Sequence, residues 1–165
     1  MEHSAVAGWQ SFMIAGAGAS GALAGLVFVA LSINLKDILR LPDASGEAGE
    51  TILLLAATLL GALLVLVPGG SFAWLSGVAL AVWLTSSILP TWTQLQLLRR
   101  GDYHRGSFLA LRVARHQAAT LPFLVAALVL HGHNPAGLGW FAAGLLISMA
   151  VALLNAWVLL VEIMR

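Results

Sequence analysis

Long apolar stretches alternate with short polar breaks along this chain. Five stretches approach the roughly 20 residues that a helix needs to cross the hydrocarbon core of a bilayer. The pattern predicts an all-α fold, a polytopic membrane helical bundle with five transmembrane helices, and we take residues 1–165 as a single transmembrane domain. The predicted spans lie at about 9–35, 51–67, 71–89, 108–131 and 138–164.

The polar breaks carry residues that end helices or form turns. Pro42 is expected to stop the first helix, and residues 43–50 then form a polar, acidic connection. Short turns follow the second span at 68–70 and the fourth span at 132–135. Pro90 is expected to kink the third helix just beyond its apolar part, and an amphipathic helical extension to Arg100 is expected to follow.

The composition also indicates a membrane protein. Hydrophobic residues make up 60% of the chain and charged residues only 9%, whereas soluble domains carry about 25% charged residues. So little charge cannot cover a water-facing surface. The chain has no cysteine, which excludes disulfides, thiolate metal sites and cysteine nucleophiles.

The basic residues predict an orientation. With five spans, all eight lysines and arginines fall on one side of the membrane, and the positive-inside rule makes that side cytoplasmic. The amino terminus then lies outside the cytoplasm and the carboxyl terminus inside it. The basic residues are Lys36, Arg40, Arg99, Arg100, Arg105, Arg112, Arg115 and Arg165. The tryptophans near predicted span ends, which resemble two aromatic belts, are Trp9, Trp74, Trp92, Trp140 and Trp157.

Small residues recur along the first span. Ala17, Gly21 and Gly25 are spaced every four residues, so they share one side of a helix and allow another backbone to approach closely. We interpret them as a helix-packing face, within one chain or between subunits. The alternative is a thin wall beside a pore or substrate path.

Polar residues within the first and fifth spans form a candidate polar path. Ser32 and Asn34 lie toward the cytoplasmic end of span 1, and Ser148 and Asn155 share one face of span 5. Such groups need partners inside the bundle. We expect hydrogen bonds between helices, with Asn34 bonded to Asn155 or to a backbone carbonyl. A water-filled path is the alternative.

A candidate layer of ion pairs lies at the cytoplasmic side. Arg112 and Arg115 begin the fourth span, and Asp37, Glu50 and Glu162 are predicted on the same side. We hypothesise that these charges pair in an inner-leaflet layer. The alternative is that the arginines extend to water or to lipid phosphate without protein partners.

The cytoplasmic half of the third helix is unusually polar. Residues 85–96 include three threonines, two serines and two glutamines. This segment either lines a cytoplasmic vestibule or protrudes into water, and we favour protrusion because Arg99 and Arg100 follow it.

Motifs for catalysis are absent from the sequence. It contains no P-loop, no G-x-S-x-G and no H-E-x-x-H, so we expect no catalytic residues, no cofactor, no metal site and no enzyme. His131 and His133 supply only two metal ligands in one loop. The basic cluster is short and juxtamembrane, which favours membrane lipid over nucleic acid as its partner.

Three segments carry a family resemblance. They are Gly25–Leu35 (GLVFVALSINL), Glu50 with Thr51 at the start of the second span, and residues 67–69 (VPG) at its end. Together they resemble a family of small, uncharacterised bacterial membrane proteins, some of which are labelled modulators of the FtsH membrane protease. The resemblance covers about the first 70 residues and implies a location in the bacterial inner (cytoplasmic) membrane.

Two functions are compatible with these features. The first is a homo-oligomeric channel-like or transporter-like protein, because five short helices have little room to enclose a path alone. The alternative is a non-enzymatic regulatory or interaction subunit with a protein partner in the membrane, such as a membrane protease. A lipid-acting enzyme would need Glu50, His116 and Glu162 as an acid–base group, and nothing in their spacing demands it.

Overall fold

A computed structural model shows a chain built from five long helices and one short helix within the described residues, which are 6–40, 44–99 and 106–163. Side chains are described for these residues except 37, 39–40, 44–45, 89, 93–99, 106–112, 159–160 and 162–163. The helices are α1 (Gln10–Ile33), α2 (Leu35–Arg40), α3 (Ala44–Val65), α4 (Phe72–Arg99), α5 (Gly106–His131) and α6 (Gly137–Ile163).

The five long helices each contain an apolar segment that is long enough to cross a membrane. These segments lie at 10–33, 46–65, 72–92, 113–131 and 137–158. The prediction of an all-helical bundle with five membrane-length apolar helices is therefore confirmed.

Helices α3 to α6 form a four-helix group, and α1 packs against its side. Consecutive long helices run in opposite directions, and α1 contacts mainly α3 and, to a smaller extent, α6. The turns 66–71 and 132–136 meet at one end of the bundle, where the rings of Phe72 and His133 lie 6.0 Å apart. We call this end the hairpin end, and the opposite end, which carries Lys36 and Arg115, the basic end.

The half of the bundle near the hairpin end has an apolar core. Phe123 on α5 and Phe141 on α6 are fully buried and meet edge to face with ring centroids 5.1 Å apart. Glycines make room for these rings. A Cβ on Gly144 would lie 2.8 Å from Phe123 Cε1, and a Cβ on Gly61 would lie 2.7 Å from Val82 Cγ2. Small residues thus allow the close helix packing that stabilises bundles in lipid.

Two helix boundaries differ from the sequence prediction. Helix α3 begins at Ala44, so most of the predicted connection 43–50 is helical. Glu47 lies in its first turn, where a negative charge interacts favourably with the helix dipole. Helix α4 is not among them, because it continues through Pro90 as far as Arg99, as the predicted extension of the third helix requires. The first helical segment ends at Ile33, and α2 follows after a break at Asn34.

Candidate functional site

Buried polar side chains are concentrated between the middle of the bundle and the basic end. We call this region the polar half and the region around Phe123 and Phe141 the apolar half. The buried polar residues of the polar half are Glu47, Glu50, Thr51, Ser86, Ser87, His116, Thr120, Ser148 and Asn155. This concentration of buried polar groups makes the polar half the candidate site.

Pro90 creates the first feature of the polar half. A proline has no N–H, so the carbonyl four residues earlier in a helix loses its usual donor. In α4 that carbonyl belongs to Ser86, and Nε2 of the buried His116 lies 2.7 Å from its oxygen. Because a carbonyl oxygen only accepts, Nε2 carries the hydrogen of this bond. His116 on α5 therefore replaces the backbone donor that Pro90 removes.

A second link joins the same two helices nearer the basic end. The amide nitrogen of Gln117 donates to the hydroxyl of Thr91 at 3.0 Å. With the bond between His116 and Ser86, it makes two side-chain contacts between α4 and α5 within about two helical turns. The polar segment at 85–96 was favoured to protrude into water. Instead, the described part of it packs against α5, with Ser86 and Ser87 buried.

A groove of about 330 Å³ lies beside these links, on the outside of the bundle. Its surface is almost entirely apolar. Two of its lining residues carry donors that are closed off from the groove. These are the hydroxyl of Ser87 and the indole Nε1 of Trp83, which are buried and have no hydrogen-bond partner among the described residues. The lining residues are Trp83, Ser87, Ile88, Thr91, Trp92 and Gln117. Sequence analysis did not identify this groove, and the only signal for it was the polar stretch around Pro90.

The four residues of the predicted polar path do not form one hydrogen-bonded chain. Ser32 donates to Phe28 O at 2.7 Å and Asn34 donates to Ala30 O at 2.9 Å, each within its own helix. Short polar side chains in helices commonly donate to the backbone carbonyl four residues earlier. For Asn34, a backbone carbonyl is the observed partner rather than Asn155.

The other two path residues lie inside the four-helix group. Ser148 donates across helices to Ala119 O at 3.1 Å. Asn155 is buried, and its Oδ1 has no hydrogen-bond partner in the part of the chain that the structure describes. An unpartnered amide oxygen between helices costs folding free energy. Among the four path residues, Asn155 is therefore the one whose hydrogen-bonding groups are least satisfied.

The predicted ion-pair layer is only partly described. Asp37, Arg112 and Glu162 fall outside the residues whose side chains the structure describes. Glu50 is buried and interacts with a partner, and Arg115 is half-buried. Glu47, which the prediction did not include, is also buried and also has a partner.

Two of the three residues of the predicted packing face of α1 lie against the bundle. Ala17 is buried, and a Cβ on Gly21 would lie 3.8 Å from the side chain of Leu59 on α3. Gly25 is exposed, and a Cβ there would meet no atom within 4 Å. Each step of four residues turns about 40° around the helix, so eight residues carry Gly25 about 80° away from Ala17 and out of the contact.

A second row of small residues faces away from the bundle. Ala15, Gly18, Ala22 and Gly25 are all exposed, and their alternating steps of three and four keep them on one side of α1. A Cβ built on Gly18 also meets no atom within 4 Å. We call this row the outward face of α1. Sequence analysis missed it because only the four-residue spacing was considered.

The described histidines, aspartates and glutamates do not form a metal-binding cluster of three or more groups. Comparisons of the chain with protein-family models, with curated proteins and with solved structures found no match. The resemblance to small bacterial membrane proteins therefore stays a prediction, and function has to be argued from the helix surfaces and the polar half themselves.

Proposed function

We propose that this chain is a non-enzymatic interaction subunit of the bacterial inner membrane, which binds a partner helix along the outward face of α1. The observation that carries this proposal is the contrast between α1 and the other helices. Within its apolar segment only 17% of α1 residues are buried in the bundle, whereas the other four segments are 35–56% buried. Helix α1 therefore has the most surface left for a partner.

The residue types on the exposed surfaces support the same proposal. Large apolar side chains cover the outside of α3, α5 and α6, as expected for surfaces that face lipid tails. Examples are Leu60, Leu63, Leu128, Leu146 and Leu153. Helix α1 also exposes large apolar side chains, among them Ile14, Leu26 and Phe28, but its outward face adds a row of exposed glycine and alanine. Small residues let two helix backbones approach closely, which is the main source of helix association in lipid.

The packing within the chain also favours an interaction protein over a pore enclosed by one chain. The apolar half is filled by fully buried side chains, among them Met13, Phe123, Phe141 and Leu145. These side chains close the centre of the bundle. The outer surfaces of the helices then remain as the places where this chain can contact a partner.

The orientation in this proposal places the basic end in the cytoplasm. Exposed tryptophans support a membrane that spans the bundle from end to end. Trp74 and Trp140 are exposed toward the hairpin end, and Trp92 and Trp157 toward the basic end, at the two levels where indole rings favour the membrane interface. Because the chain lacks cysteine, single cysteines can test the orientation. Ala136→Cys should react with an impermeant maleimide added outside spheroplasts, and Lys36→Cys should react only after lysis.

A photo-crosslinking experiment tests the partner helix. A photoreactive amino acid at Gly18 or Ala22, introduced into the full chain in native membranes, should give discrete crosslinked products. The same group at Leu60 or Leu128 serves as the matched control and should give mainly lipid adducts. Mass spectrometry then identifies the product, and a mass of two chains identifies a second copy. Equal, diffuse labelling at all four positions would contradict the proposal.

A substitution strengthens this test. Gly18→Ile fills the outward face of α1 but should leave the fold intact, because a Cβ there meets open space. The variant should lose the crosslinks from position 22 while its thermal unfolding stays unchanged.

The second candidate is the homo-oligomeric, channel-like or transporter-like function. The specific observation that favours it is the unpartnered Oδ1 of the buried Asn155, since water in a path would supply the missing donor and a cation in it could coordinate this oxygen. Purified protein in liposomes should then give a solute or ion flux that Asn155→Leu abolishes. Retention of the flux in Asn155→Leu, or no flux under any gradient, would argue against this candidate.

A further inference from the structure

The groove between α4 and α5 opens on the outside of the bundle, where a membrane places lipid rather than water. We propose that it binds one anionic phospholipid of the cytoplasmic leaflet, with an acyl chain along the groove and the phosphate headgroup at the basic end. This inference rests on the membrane insertion and the orientation proposed above, but not on the partner of α1. The lining of the groove, its length and the charge beside it each point to this occupant.

The lining of the groove changes from apolar to polar toward the basic end. Nearer the middle of the bundle it includes Ile88, whose side chain is 55% exposed. Nearer the basic end it includes Thr91 and Gln117, whose side chains bond to each other at 3.0 Å. Trp92 lines the same end and is 63% exposed, as suits an indole ring at the membrane interface. The groove is therefore apolar where an acyl chain would lie and polar where the glycerol backbone would begin.

The length of the groove matches one leaflet of a bilayer. Along α4 the lining residues run from Trp83 to Trp92, and nine residue steps at about 1.5 Å each span about 14 Å. One leaflet contributes about half of the hydrocarbon core, which is about 30 Å thick. Because the apolar segment of α4 ends at Trp92, the groove extends from the edge of the hydrocarbon core to near its middle. One acyl chain parallel to the helices covers this distance.

The charge beyond the groove selects the headgroup. Between the apolar segments of α4 and α5, residues 93–112 include four arginines and one aspartate. Arg99 follows Trp92 by seven residues, which is close to two helical turns, so α4 places it on the same side as Trp92. Basic residues next to the cytoplasmic end of a membrane helix attract anionic lipids. A phosphate at the end of the groove therefore meets an excess of positive charge.

Other occupants fit the groove less well. Helices associate in lipid where small residues let their backbones approach, whereas large side chains, among them Trp83, Ile88 and Trp92, line this groove. A partner helix could therefore not approach α4 and α5 closely. A neutral lipid could fill the apolar part but would gain nothing from the nearby arginines. An anionic phospholipid uses both the apolar lining and the charge.

Native mass spectrometry of the purified full chain tests this site. The protein is equilibrated in detergent with equal amounts of dioleoylphosphatidylglycerol and dioleoylphosphatidylethanolamine. These two lipids have the same acyl chains and differ in the net charge of the headgroup. We expect one phosphatidylglycerol to be retained per chain in a saturable manner, and phosphatidylethanolamine to be retained more weakly.

A first pair of variants tests the position of the acyl chain. Ile88→Trp should remove most of the phosphatidylglycerol retention, because the larger ring occupies part of the groove. Leu80→Trp is the matched control and should retain lipid as the wild type does, because Leu80 is 40% exposed on the same helix but does not line the groove. Both positions are exposed, so thermal unfolding of the two variants should match that of the wild type.

A second pair of variants tests the position of the headgroup. Arg99→Gln should weaken retention of phosphatidylglycerol about fivefold, the effect of one basic residue near an anionic surface, and should leave phosphatidylethanolamine unchanged. Lys36→Gln is the control, because the exposed Lys36 belongs to α2, which packs against α1 and α3. This variant should retain phosphatidylglycerol as the wild type does.

Three outcomes would overturn the proposal. Equal retention of the two lipids by the wild type would mean that the groove does not select an anionic headgroup. Equal retention by Ile88→Trp and Leu80→Trp would place the lipid outside the groove, and unchanged retention by Arg99→Gln would place the headgroup elsewhere. Extraction of the chain from native membranes by alkaline carbonate would instead refute membrane insertion, so the failure of the two proposals can be distinguished.

Discussion

The two halves of the bundle solve the same packing problem with different chemistry. In the apolar half, aromatic rings fill the space that glycines leave, as with Phe123 beside Gly144. In the polar half, side chains bond to backbone carbonyls of neighbouring helices, as His116 does with Ser86. The stability of the apolar half depends on how well its side chains fit together. The stability of the polar half depends on hydrogen bonds that lipid cannot replace.

This difference has a consequence for where function can reside. A packed aromatic core tolerates few alternatives, because any change of volume creates a cavity or a clash. Hydrogen bonds to a carbonyl freed by proline can exchange partners, and buried groups such as Ser87 and Asn155 are left without a partner among the described residues. The polar half should therefore tolerate changes of side-chain volume better than the apolar half, and it contains more groups that can form hydrogen bonds.

The largest expected effect comes from the apolar half. Phe123→Ala should destabilise the chain by about 3–5 kcal/mol, the usual cost of removing a buried phenyl ring, because Phe123 is fully buried against Phe141. Reversible unfolding in mixed micelles, followed by circular dichroism, measures this loss. Leu128→Ala on the same helix is the control and should change little, since Leu128 is 66% exposed. Equal losses for the two variants would mean that the apolar half is not a packed core.

The next effect tests the bond that compensates for Pro90. His116→Leu should cost about 1–3 kcal/mol, because it leaves the Ser86 carbonyl buried without a donor. In the background of Pro90→Ala the same substitution should cost much less, since the restored N–H of residue 90 bonds to that carbonyl. A double-mutant cycle by chemical unfolding measures the coupling. Identical costs in both backgrounds would show that His116 stabilises the bundle in some other way.

A third effect should have the opposite sign. Asn155→Leu should raise stability by about 1 kcal/mol in micelles, because it removes a buried amide whose Oδ1 is unpartnered. Asn34→Leu is the matched control and should not stabilise, since Asn34 already donates to Ala30 O. The measurement is the same unfolding assay. Destabilisation by Asn155→Leu would indicate that this side chain has a partner, such as ordered water, and would favour the polar path.

Much of the fold follows from the sequence because the bilayer restricts the possible structures. Apolar length predicted all five long helices, since any backbone in lipid must satisfy its hydrogen bonds within a helix. The exception was the region 43–50, which was predicted as a connection. Two glutamates and two glycines there argue against a helix by local preference, but contacts within the bundle bury Glu47 and Glu50 and extend α3.

The candidate site was harder to predict because it depends on pairs of helices. Periodicity along one helix identified Ser148 and Asn155 as sharing a face, and both are buried. It did not indicate that Asn34 would bond within its own helix. Pro90 was recognised as a kink, yet which side chain would bond to the freed carbonyl depends on how α5 aligns with α4. That alignment is a tertiary property, so the groove beside it could not be derived from the sequence either.

The smallest expected effect comes from replacing one serine by alanine in each half. It tests whether a single hydrogen bond between helices has the same strength in the two halves. Ser76 in the apolar half donates to Ala127 O at 2.9 Å, and Ser148 donates to Ala119 O at 3.1 Å. Both bonds join neighbouring helices, and both hydroxyls are buried. Replacing either serine by alanine should therefore cost about 0.6 kcal/mol, the average for side-chain bonds between membrane helices, in the same unfolding assay. A clearly larger loss for Ser148→Ala would mean that its bond is coupled to other polar groups, so that the polar half behaves as a network rather than as a set of separate contacts.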